Sequence, residues 1–564
     1  MHPFFHNRLG RKTIKLIARS LAVAGALGLF ATAMAPGNAN AQVSQKMLDD
    51  AAKDKNNWLV YGGNYDNTRY SMADQINTKN VKGLRVKYAF QTGVVASFEN
   101  TPIVVNGVMY VTTPYNELFA IDAATGAEIW HVKHKLQPSE FCCGPNNRGV
   151  AVYEDLVYMA TLDAMLVAYN RKNGKVEWEV QVGEIPKGYS ETMAPTVVDG
   201  KILIGTSGAE YGIRGFLKAY DAKTGKEIWT FHTTPEKGWE GTWAEKAADG
   251  KHLNRDIAAE KAAMAKYGDA WKIGGASIWM TPAVDRKYKQ VIALVGNPSP
   301  DLDGSVRPGD NLYSESMVAV DLETGKLNWY IQFVPHDVWD LDAVSPAILT
   351  TSGGVDVAVH GGKTGFVYVV NRKDGKLVRL SEPMVPQENM YALPTPEGTR
   401  MLPGANGGVE WSPMAYNPST KNVYAVNLHQ PMTYHVDSVP YPNGKLWLGG
   451  AFKVIPTEKQ SGNISAVNVD TGKIAWQVKT PEPMIGGTLA TAGNLVFAGE
   501  ANGLFKAYDA KDGKILWEFQ TGAGANSAPM TFMVKGKQYI AVASGGNAQI
   551  NSKKGNTLFV FGLD

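Results

Sequence analysis

Cysteine is almost absent from this chain of 564 residues, which contains two. Both stand side by side, Cys142 and Cys143 in "EFCCGPNNRG", so no disulfide can join distant segments. This excludes a small secreted scaffold held together by several bridges. Neighbouring Cα atoms lie about 3.8 Å apart, less than the roughly 4.4–6.8 Å of an ordinary disulfide. From the residues alone, the pair is either two unrelated thiols or a strained ring.

Long hydrophobic runs are also missing, except at the N-terminus. Residues 1–20 carry five basic side chains and no acidic one, an apolar run follows at 21–35, and small residues stand at 39 and 41. This order is typical of a secretory signal peptide, here 1–41. An uncleaved membrane anchor is the alternative, although the apolar run is shorter than the ~20 residues of a spanning helix. We therefore expect export without stable membrane insertion.

Excess positive charge is absent once that segment is set aside. The formal net charge is +3, and 1–41 holds five positive charges, so the remainder carries −2. Nucleic acid is therefore not an expected partner. The motifs HExxH, Walker A, GxSxG and CxxCH are missing as well, which gives no support to a zinc protease, a nucleotide-binding protein, a serine hydrolase or a covalent haem protein.

What the chain does contain is a repeat that ends in tryptophan. In each copy Asp or Asn closes an apolar alternating run and a turn with glycine follows. Trp comes eight residues after the Asp or Asn in every copy except 370–379. This predicts a β-hairpin with glycine at positive φ and an indole available to the neighbouring repeat. The copies are "IDAATGAEIW" (121–130), "YNRKNGKVEW" (169–178), "YDAKTGKEIW" (220–229), "VDLETGKLNW" (320–329), "VNRKDGKLVR" (370–379), "VNVDTGKIAW" (467–476) and "YDAKDGKILW" (508–517).

Most copies start 41 to 51 residues apart, and the spacing indicates one further, less regular unit at 414–428. Repeats of four strands arranged radially predict an all-β fold, an eight-bladed β-propeller with tryptophan-docking motifs, formed by 42–564 as a single domain. A small helical insertion is expected near 240–270. Segments 76–90 and 557–563 would share one blade. A solenoid of the same repeats is the alternative.

Several predicted loops are more polar than a purely structural repeat requires. Glu210 lies in a glycine-rich turn, Asn297 and Lys363 adjoin strands, and Asp340 and Asp342 stand two apart on an extended segment. Oxygen ligands of these types suit a hard cation such as calcium. Taken singly, each residue is equally consistent with a solvated turn or an ordinary surface charge.

Together, these segments resemble the pyrroloquinoline quinone (PQQ)-dependent alcohol dehydrogenases, which are periplasmic quinoproteins that include the methanol and ethanol dehydrogenases. The resemblance runs over essentially the whole chain after the signal segment, with the motifs in the same order. They are the tryptophan repeat, "CCGPNNRGVA" (142–151), "SGAEYGIRG" (207–215), "GGASIW" (274–279), "GNPSP" (296–300), "WDLD" (339–342), "GGTLATAG" (486–493) and "GKQYIAVASGG" (536–546).

The resemblance implies roles for individual residues. Glu210 and Asn297 would bind the metal, and Asp340 beside it would be the catalytic base. Trp279 would lie under the PQQ ring, and a vicinal disulfide of Cys142 and Cys143 would cover its other face. The other positions that match cofactor-binding residues are Glu99, Arg148, Thr192, Ser207, Gly208, Ala209 and Lys363.

The resemblance also implies a mechanism. A metal-activated PQQ would accept hydride from the alcohol carbon while Asp340 takes the hydroxyl proton. Asp342 matches an acidic position associated with lanthanide-using members, so the metal is expected to be calcium or a lanthanide. No haem motif follows, so electrons would pass to a separate soluble cytochrome c in the periplasm.

Two departures from the family pattern bear on the substrate. Ile485 stands where a Trp is common, and 543–556 lacks the aromatic cap of a methanol-type pocket. We expect alcohols larger than methanol. Glu410 replaces a usual Asn or Asp, which leaves its contact open. The alternatives are a non-enzymatic propeller that serves as a scaffold for outer-membrane protein assembly, and a dehydrogenase of the same fold acting on sugars or aldehydes.

Overall fold

The structure is a computed structural model that describes residues 42–137 and 141–564. The predicted signal peptide at 1–41 lies outside the described residues. The described residues form two α-helices, Gln45–Asp49 and Ile257–Tyr267, together with several short 3-10 helices, strands and connecting loops. The second helix confirms the helix expected near 240–270. Within the described ranges, no helix has the length and apolar character needed to cross a membrane.

Strands that follow one another in sequence pair in order to form the first five sheets, each four-stranded. Sheet 1 contains Ile103–Val105, Val108–Thr112, Glu117–Asp122 and Glu128–Lys133. Sheet 2 contains Val150–Tyr153, Leu156–Ala160, Met165–Asn170 and Val176–Gln181. Sheet 3 contains Thr196–Val198, Lys201–Ile204, Phe216–Asp221 and Glu227–His232. Sheet 4 contains Ala283–Asp285, Gln290–Val295, Ser316–Asp321 and Leu327–Gln332. Sheet 5 contains Ile348–Ser352, Val355–Gly361, Val367–Asn371 and Leu377–Leu380.

The remaining sheets combine strands from more distant parts of the chain. Sheet 6 contains Ala415–Asn417, Asn422–His429, Ser461–Asn468 and Ile474–Thr480. Sheet 7 contains Thr488–Thr491, Leu495–Gly499, Leu504–Asp509 and Ile515–Gln520, with Tyr70–Ser71 added in parallel. Sheet 8 contains Arg85–Ala96, Met530–Val534, Lys537–Ser544 and Gly555–Gly562. A three-stranded sheet contains Thr399–Met401, Met432–Val436 and Gly450–Val454.

Two of the sequence predictions on topology are confirmed, and one element was not predicted. Arg85–Ala96 pairs antiparallel with Gly555–Gly562, so segments 76–90 and 557–563 contribute to one sheet, as predicted. The irregular unit at 414–428 supplies the first two strands of sheet 6. The three-stranded sheet has no counterpart in the repeat, and its strands are joined to sheet 6 only by loops.

The recurring turn brings glycine and tryptophan from different repeats into contact. Gly325 has a φ of 68°, and a side-chain carbon there would lie 2.5 Å from the Trp229 ring of the preceding repeat. The Trp229 N–H donates to the carbonyl of Leu322 in the same turn, at 3.2 Å. The turn of the following repeat likewise accepts from the indole N–H groups of Trp130, Trp329 and Trp476, whereas that of Trp517 donates to the carbonyl of Leu84. Trp178 differs, because its buried N–H has no partner.

The core lies between neighbouring sheets, as expected for strands buried on both faces. All six residues of Gln290–Val295 in sheet 4 are buried. Val291 of sheet 4, Leu217 of sheet 3 and Val167 of sheet 2 belong to one continuous cluster of buried apolar side chains. The strands therefore form a rigid base from which the loops project.

Candidate active site

The polar residues singled out in the sequence come from loops at the same end of the sheets. When two sequential strands pair antiparallel, the start of the first strand lies next to the end of the second. Trp279 precedes the first strand of sheet 4 and Asn297 follows its second strand. Asp340 precedes the first strand of sheet 5 and Lys363 follows its second strand. The fold thus gathers side chains that are far apart in sequence.

Lys363 lies at the centre of a cluster of carboxylates. Its ammonium is 2.9 Å from Asp342 Oδ2 and 3.2 Å from Asp340 Oδ2, and it also donates to the Asp340 carbonyl at 3.1 Å. Glu410 lies 3.7 Å away. Burial disfavours the charged ammonium, but the three carboxylates outweigh burial and raise the pKa of Lys363 well above 10.5. Lys363 is therefore a fixed positive charge.

Strongly raised pKa values are found for Glu210 and for Asp340 of this cluster. Burial, and then the charge of Asp342, raises the pKa of Glu210 to about 7. Burial also raises the pKa of Asp340 well above 3.8; Lys363 opposes this shift and Asp342 adds to it. Like charges held together without water resist ionisation unless a cation joins them. A bound cation would therefore relieve the mutual repulsion of these carboxylates.

Asn297 is fully buried and connects two loops. Its backbone N–H donates to Asp342 Oδ1 at 2.6 Å, while its own side-chain Oδ1 has no hydrogen-bond partner. Asp342 can approach this closely because the preceding residue is Gly296: a side-chain carbon there would lie 2.5 Å from Asp342 Oδ1. A buried amide oxygen without a hydrogen-bond partner is costly, and such an oxygen fits the role of a ligand to a hard cation.

Arg148 combines a buried ion pair with two aromatic contacts. Its Nη2 is 2.7 Å from Glu99, and its guanidinium lies 5.0 Å from the ring of Trp279 and 4.8 Å from that of Trp411. The Nε and Nη1 donors are buried without partners. Burial raises the pKa of Glu99 to about 7, although the nearby Arg148 lowers it. Arg148 thus has unused donors for an anionic group.

The two cysteines stand beside the carboxylate cluster. Their sulfurs are 2.7 Å apart, which is longer than the ~2.05 Å of a disulfide, and both thiols are free in this structure. The sulfurs and a carboxylate oxygen of Glu210 all lie within 4.8 Å of one another. The bond between Cys142 and Cys143 stays a prediction. Nearby, the hydroxyls of Thr192 and Ser207 are hydrogen-bonded at 2.7 Å.

One cavity of about 340 Å³ connects these groups. Eleven of the fourteen predicted site residues line it: Cys142, Cys143, Arg148, Thr192, Ser207, Gly208, Glu210, Trp279, Asp340, Asp342 and Lys363. The other three are buried just outside its lining. Glu99 is bonded to Arg148, Asn297 to Asp342, and Ala209 lies in the helical turn Ala209–Tyr211.

The sequence analysis missed several residues of the lining. Asp301 is buried and close enough to Asp340 and Glu210 that burial, and then these charges, raise its pKa well above 3.8. Its only sequence signal was its position four residues after Asn297. Other polar groups in the lining are Asn146, Ser190, Ser277, Asn406, Gln430 and Gln549. The apolar wall, a name used here for Met432, Leu446, Leu448, Phe452 and Val454, was also unforeseen.

Glu410, whose contact the sequence left open, belongs to the same cavity. Gln549 donates to its Oε1 at 3.0 Å, and the backbone N–H of Trp411 donates to its Oε2 at 2.5 Å. The 3.7 Å approach to Lys363 makes it the third carboxylate of that cluster.

Comparison with known proteins identifies the family. The family model described as "PQQ: Glucose/ethanol/alcohol dehydrogenase, beta-propeller domain" matches residues 58–392 and 453–540. The chain belongs to the PQQ-dependent alcohol dehydrogenases. This confirms the family indicated by the sequence and the prediction of an all-β propeller, and it makes the cavity the natural candidate for the quinone site.

The relatives of this PQQ-dependent dehydrogenase match nearly its full length. It is 35% identical to the quinoprotein alcohol dehydrogenase PedH of Pseudomonas putida, with 90% of this chain and 89% of the relative covered. It is 33% identical to methanol dehydrogenase [cytochrome c] subunit 1 of Methylobacterium organophilum, covering 94% and 90%. Among solved structures, a europium-containing methanol dehydrogenase matches with a TM-score of 0.80 and 29% identity, covering 92% of this chain and all of the other.

Proposed function

We propose that this protein oxidises an alcohol to an aldehyde or ketone, with PQQ and one metal ion in the cavity described above. The observation that carries the proposal is the convergence of Asp340, Asp342 and Glu210 with the Lys363 ammonium on a cavity that Trp279 also lines. A scaffold for membrane-protein assembly needs no such cluster, and no contact in the described residues favours that alternative.

The residues present fit a quinone that carries three carboxylates. Arg148 has two buried donors without partners, and the Ser207 and Thr192 hydroxyls line the same cavity. Trp279 offers a flat ring against which a planar cofactor can stack. When bound, PQQ supplies a hydride acceptor and the metal polarises the quinone carbonyl. The protein supplies orientation and charge.

The metal would be held by Glu210, Asn297, Asp340 and Asp342. The partnerless side-chain oxygen of Asn297 and the raised pKa values of Glu210 and Asp340 support this donor set. All four are oxygen ligands, as calcium and the lanthanides require. Asp342 adds negative charge that suits a trivalent ion, and the europium-containing methanol dehydrogenase is among the similar structures. We therefore propose lanthanide use, with calcium as the alternative metal.

Asp340 is the proposed general base. Asp342 is held on one oxygen by the Asn297 N–H and on the other by Lys363, whereas Asp340 is the more exposed of the two carboxylates. Lys363 contacts Asp340 both at the carboxylate and at the backbone carbonyl, which fixes the direction of the side chain. Asp340 can thus receive the proton of a substrate hydroxyl within the cavity.

The substrate is proposed to be larger than methanol. The apolar wall belongs mostly to the three-stranded sheet, and Leu446 is 50% exposed. Such a surface is complementary to a hydrocarbon or aromatic body and gives no advantage to a single carbon. Ile485, at a position where a Trp is common in the family, is fully buried.

The remaining parts of the proposal concern the fold and the cell. We infer that sheets 1 to 8 are eight blades of one domain, 42–564, and that the Trp–Gly contacts between repeats are docking contacts. The mature protein would act in the periplasm after loss of 1–41, and would pass electrons to a cytochrome c. The relative from Methylobacterium organophilum carries cytochrome c in its name, which supports that acceptor.

Reconstitution tests the proposal. The purified chain is loaded with PQQ and either calcium or a lanthanide, and dye-linked oxidation of alcohols from methanol to aromatic alcohols is measured. We expect activity with larger alcohols above that with methanol, and none without PQQ. Absence of activity with every metal and alcohol would refute the proposed function, and a preference for methanol would refute the substrate size.

A further inference from the structure

Asp301 is a buried carboxyl group in the cavity that the reaction described above does not use. Only 1% of its surface is exposed, yet it lines the cavity beside Asp340, Asp342 and Glu210. Its Oδ1 is buried without a hydrogen-bond partner. A buried carboxylate oxygen with no partner is unfavourable unless something in the functional state supplies a donor.

The described residues around Asp301 supply no donor to Oδ1. Arg307, whose charge acts on Asp301, is fully buried and uses its donors on the backbone carbonyls of Pro300, Asp301 and Asp337 and on the side chain of Asn311. These bonds hold the backbone at Asp301, and none of them reaches its carboxyl group. The Oδ1 atom therefore keeps an unused hydrogen-bonding capacity among the described residues.

The position of Asp301 is between the reacting end of the cavity and the apolar wall. On one side stands Asp340, the proposed base. On the other, the next residue, Leu302, donates its N–H to the carbonyl of Leu448, a residue of the wall, at 2.8 Å. A substrate that places its hydroxyl at Asp340 and its body on the wall occupies the same cavity that Asp301 lines.

Building on the proposed function, we propose that Asp301 is a specificity-determining residue that accepts a hydrogen bond from a second hydroxyl of the substrate, next to the reacting carbon. The preferred substrates are then 1,2-diols with an apolar body. A neutral hydroxyl of the substrate suits Asp301 better than a substrate ammonium group does, because a metal ion of charge two or three beside Glu210 repels a second cation.

The test compares matched pairs of substrates in the enzyme loaded with PQQ and metal. The value of kcat/KM is measured for 1,2-pentanediol against 1-pentanol and for 1,2-propanediol against 1-propanol. Wild type is expected to prefer each diol. Asp301→Leu, which keeps the shape but removes both acceptors, is expected to lower the diol-to-alcohol ratio by about 10- to 100-fold through KM. Asp301→Asn keeps one acceptor, so its diol-to-alcohol ratio is expected to lie between those of wild type and Asp301→Leu.

Asp303→Asn is the matched control. Asp303 lies two positions along the same loop, but its side chain is bonded to Ser305 and does not line the cavity. The ratio is expected to stay at the wild-type value in this variant. Metal and PQQ contents are measured in every sample, by elemental analysis and by the absorbance of the released quinone.

The outcomes separate the inference from the function on which it rests. Unchanged ratios in both Asp301 variants, with mono-alcohols still oxidised, overturn the role of Asp301 and leave the dehydrogenase activity standing. Loss of metal in Asp301→Leu would show that Asp301 is a metal ligand, which also overturns the proposal. A stronger preference for 2-amino alcohols than for diols overturns it as well. Inactivity of wild type with every alcohol removes both.

Discussion

The backbone N–H of Asn297 is bonded to the carboxylate of Asp342 across 2.6 Å, which joins the loop after the second strand of sheet 4 to the loop before sheet 5. The second oxygen of Asp342 receives the Lys363 ammonium. Asp342 therefore has two structural partners before any metal is considered. A role as metal ligand must be separated from this role in holding the loops.

Asp342→Asn separates them, because the amide oxygen can still accept from Asn297 while the negative charge is lost. We expect the affinity for a trivalent lanthanide to fall by about tenfold or more beyond any loss for calcium, since ligand charge sets the affinity for hard cations. Terbium luminescence and calcium titration measure the two affinities. Asp342→Ala, which removes the acceptor as well, is the comparison. An equal loss for both ions in Asp342→Asn would contradict a role in lanthanide selection.

Asp340→Asn tests the general base. We expect kcat to fall by about 10²–10⁴-fold while PQQ stays bound, because the amide cannot take the hydroxyl proton. Stopped-flow reduction of the bound quinone by the alcohol measures the step directly. Near wild-type reduction with a full cofactor complement would show that Asp340 is not the base.

The repeat could be predicted from the sequence because local turn chemistry recurs, whereas the roles of the candidate site residues came from the resemblance of their motifs to a known family. The repeat "YDAKTGKEIW" specifies strand, turn and strand within ten residues, and Gly225 indeed has positive φ. Once the strands are known, antiparallel pairing places Trp279 and Asn297 at one end of sheet 4, and it places Asp340 and Lys363 at one end of sheet 5. Local pattern and pairing geometry agree for these residues.

Asp301 and the apolar wall could not be found in this way. Asp301 is in an irregular loop without periodicity, and its burial depends on Arg307, whose side chain reaches back over six residues. The three-stranded sheet has short strands, and two strands of sheet 6 lie between its first and second strands in the sequence, so no alternation marks it. Contacts of this kind appear only when the tertiary structure brings the segments together.

Lys363→Met tests the charge balance of the cluster. Removing the ammonium leaves Asp340, Asp342 and Glu410 without their shared cation, so the metal-free protein is expected to lose about 3–5 kcal/mol in its free energy of unfolding. Urea denaturation measures this loss. Adding calcium or a lanthanide should restore more stability to the variant than to wild type, because the bound ion replaces the missing charge. Equal stabilisation of both proteins would argue against a shared cation site.

Gly325→Ala tests the contact between repeats. The new methyl group would lie 2.5 Å from the Trp229 ring, and the backbone has a φ of 68°. Gly200→Ala is the matched control, because Gly200 has a φ of 71° but no atom near the position of a side-chain carbon. We expect about 1 kcal/mol of destabilisation for Gly200→Ala and about 1–3 kcal/mol more for Gly325→Ala. Thermal unfolding of both variants measures the contact. The measurement is repeated with both glycine substitutions in a Trp229→Ala background, where the extra cost of Gly325→Ala should vanish. Equal losses in the two glycine variants would show that only the backbone conformation matters.

His360 predicts a pH dependence of stability. Its ring is buried, with its centroid 5.3 Å from that of Phe333 and 6.1 Å from that of Tyr368. Nδ1–H donates to the carbonyl of Ser345 at 2.9 Å, and Nε2 has no hydrogen-bond partner among the described residues. Burial lowers the pKa of His360 to about 4, whereas an unfolded histidine titrates near 6.5. The unfolded chain therefore takes up a proton first as the pH falls. The contribution of His360 is complete above pH 6.5 and decreases by about 3 kcal/mol on approach to pH 4.

His360→Asn isolates this contribution, since the amide N–H can replace Nδ1–H as donor to Ser345 but does not titrate. Urea unfolding of wild type and variant is compared at several values between pH 7.5 and pH 4.5. The stability advantage of wild type is expected to shrink steadily below pH 6.5, because the wild-type chain alone must release a proton to fold. A constant difference in stability over the whole pH range would contradict the prediction, because it would mean that His360 has the same pKa in the folded and unfolded states.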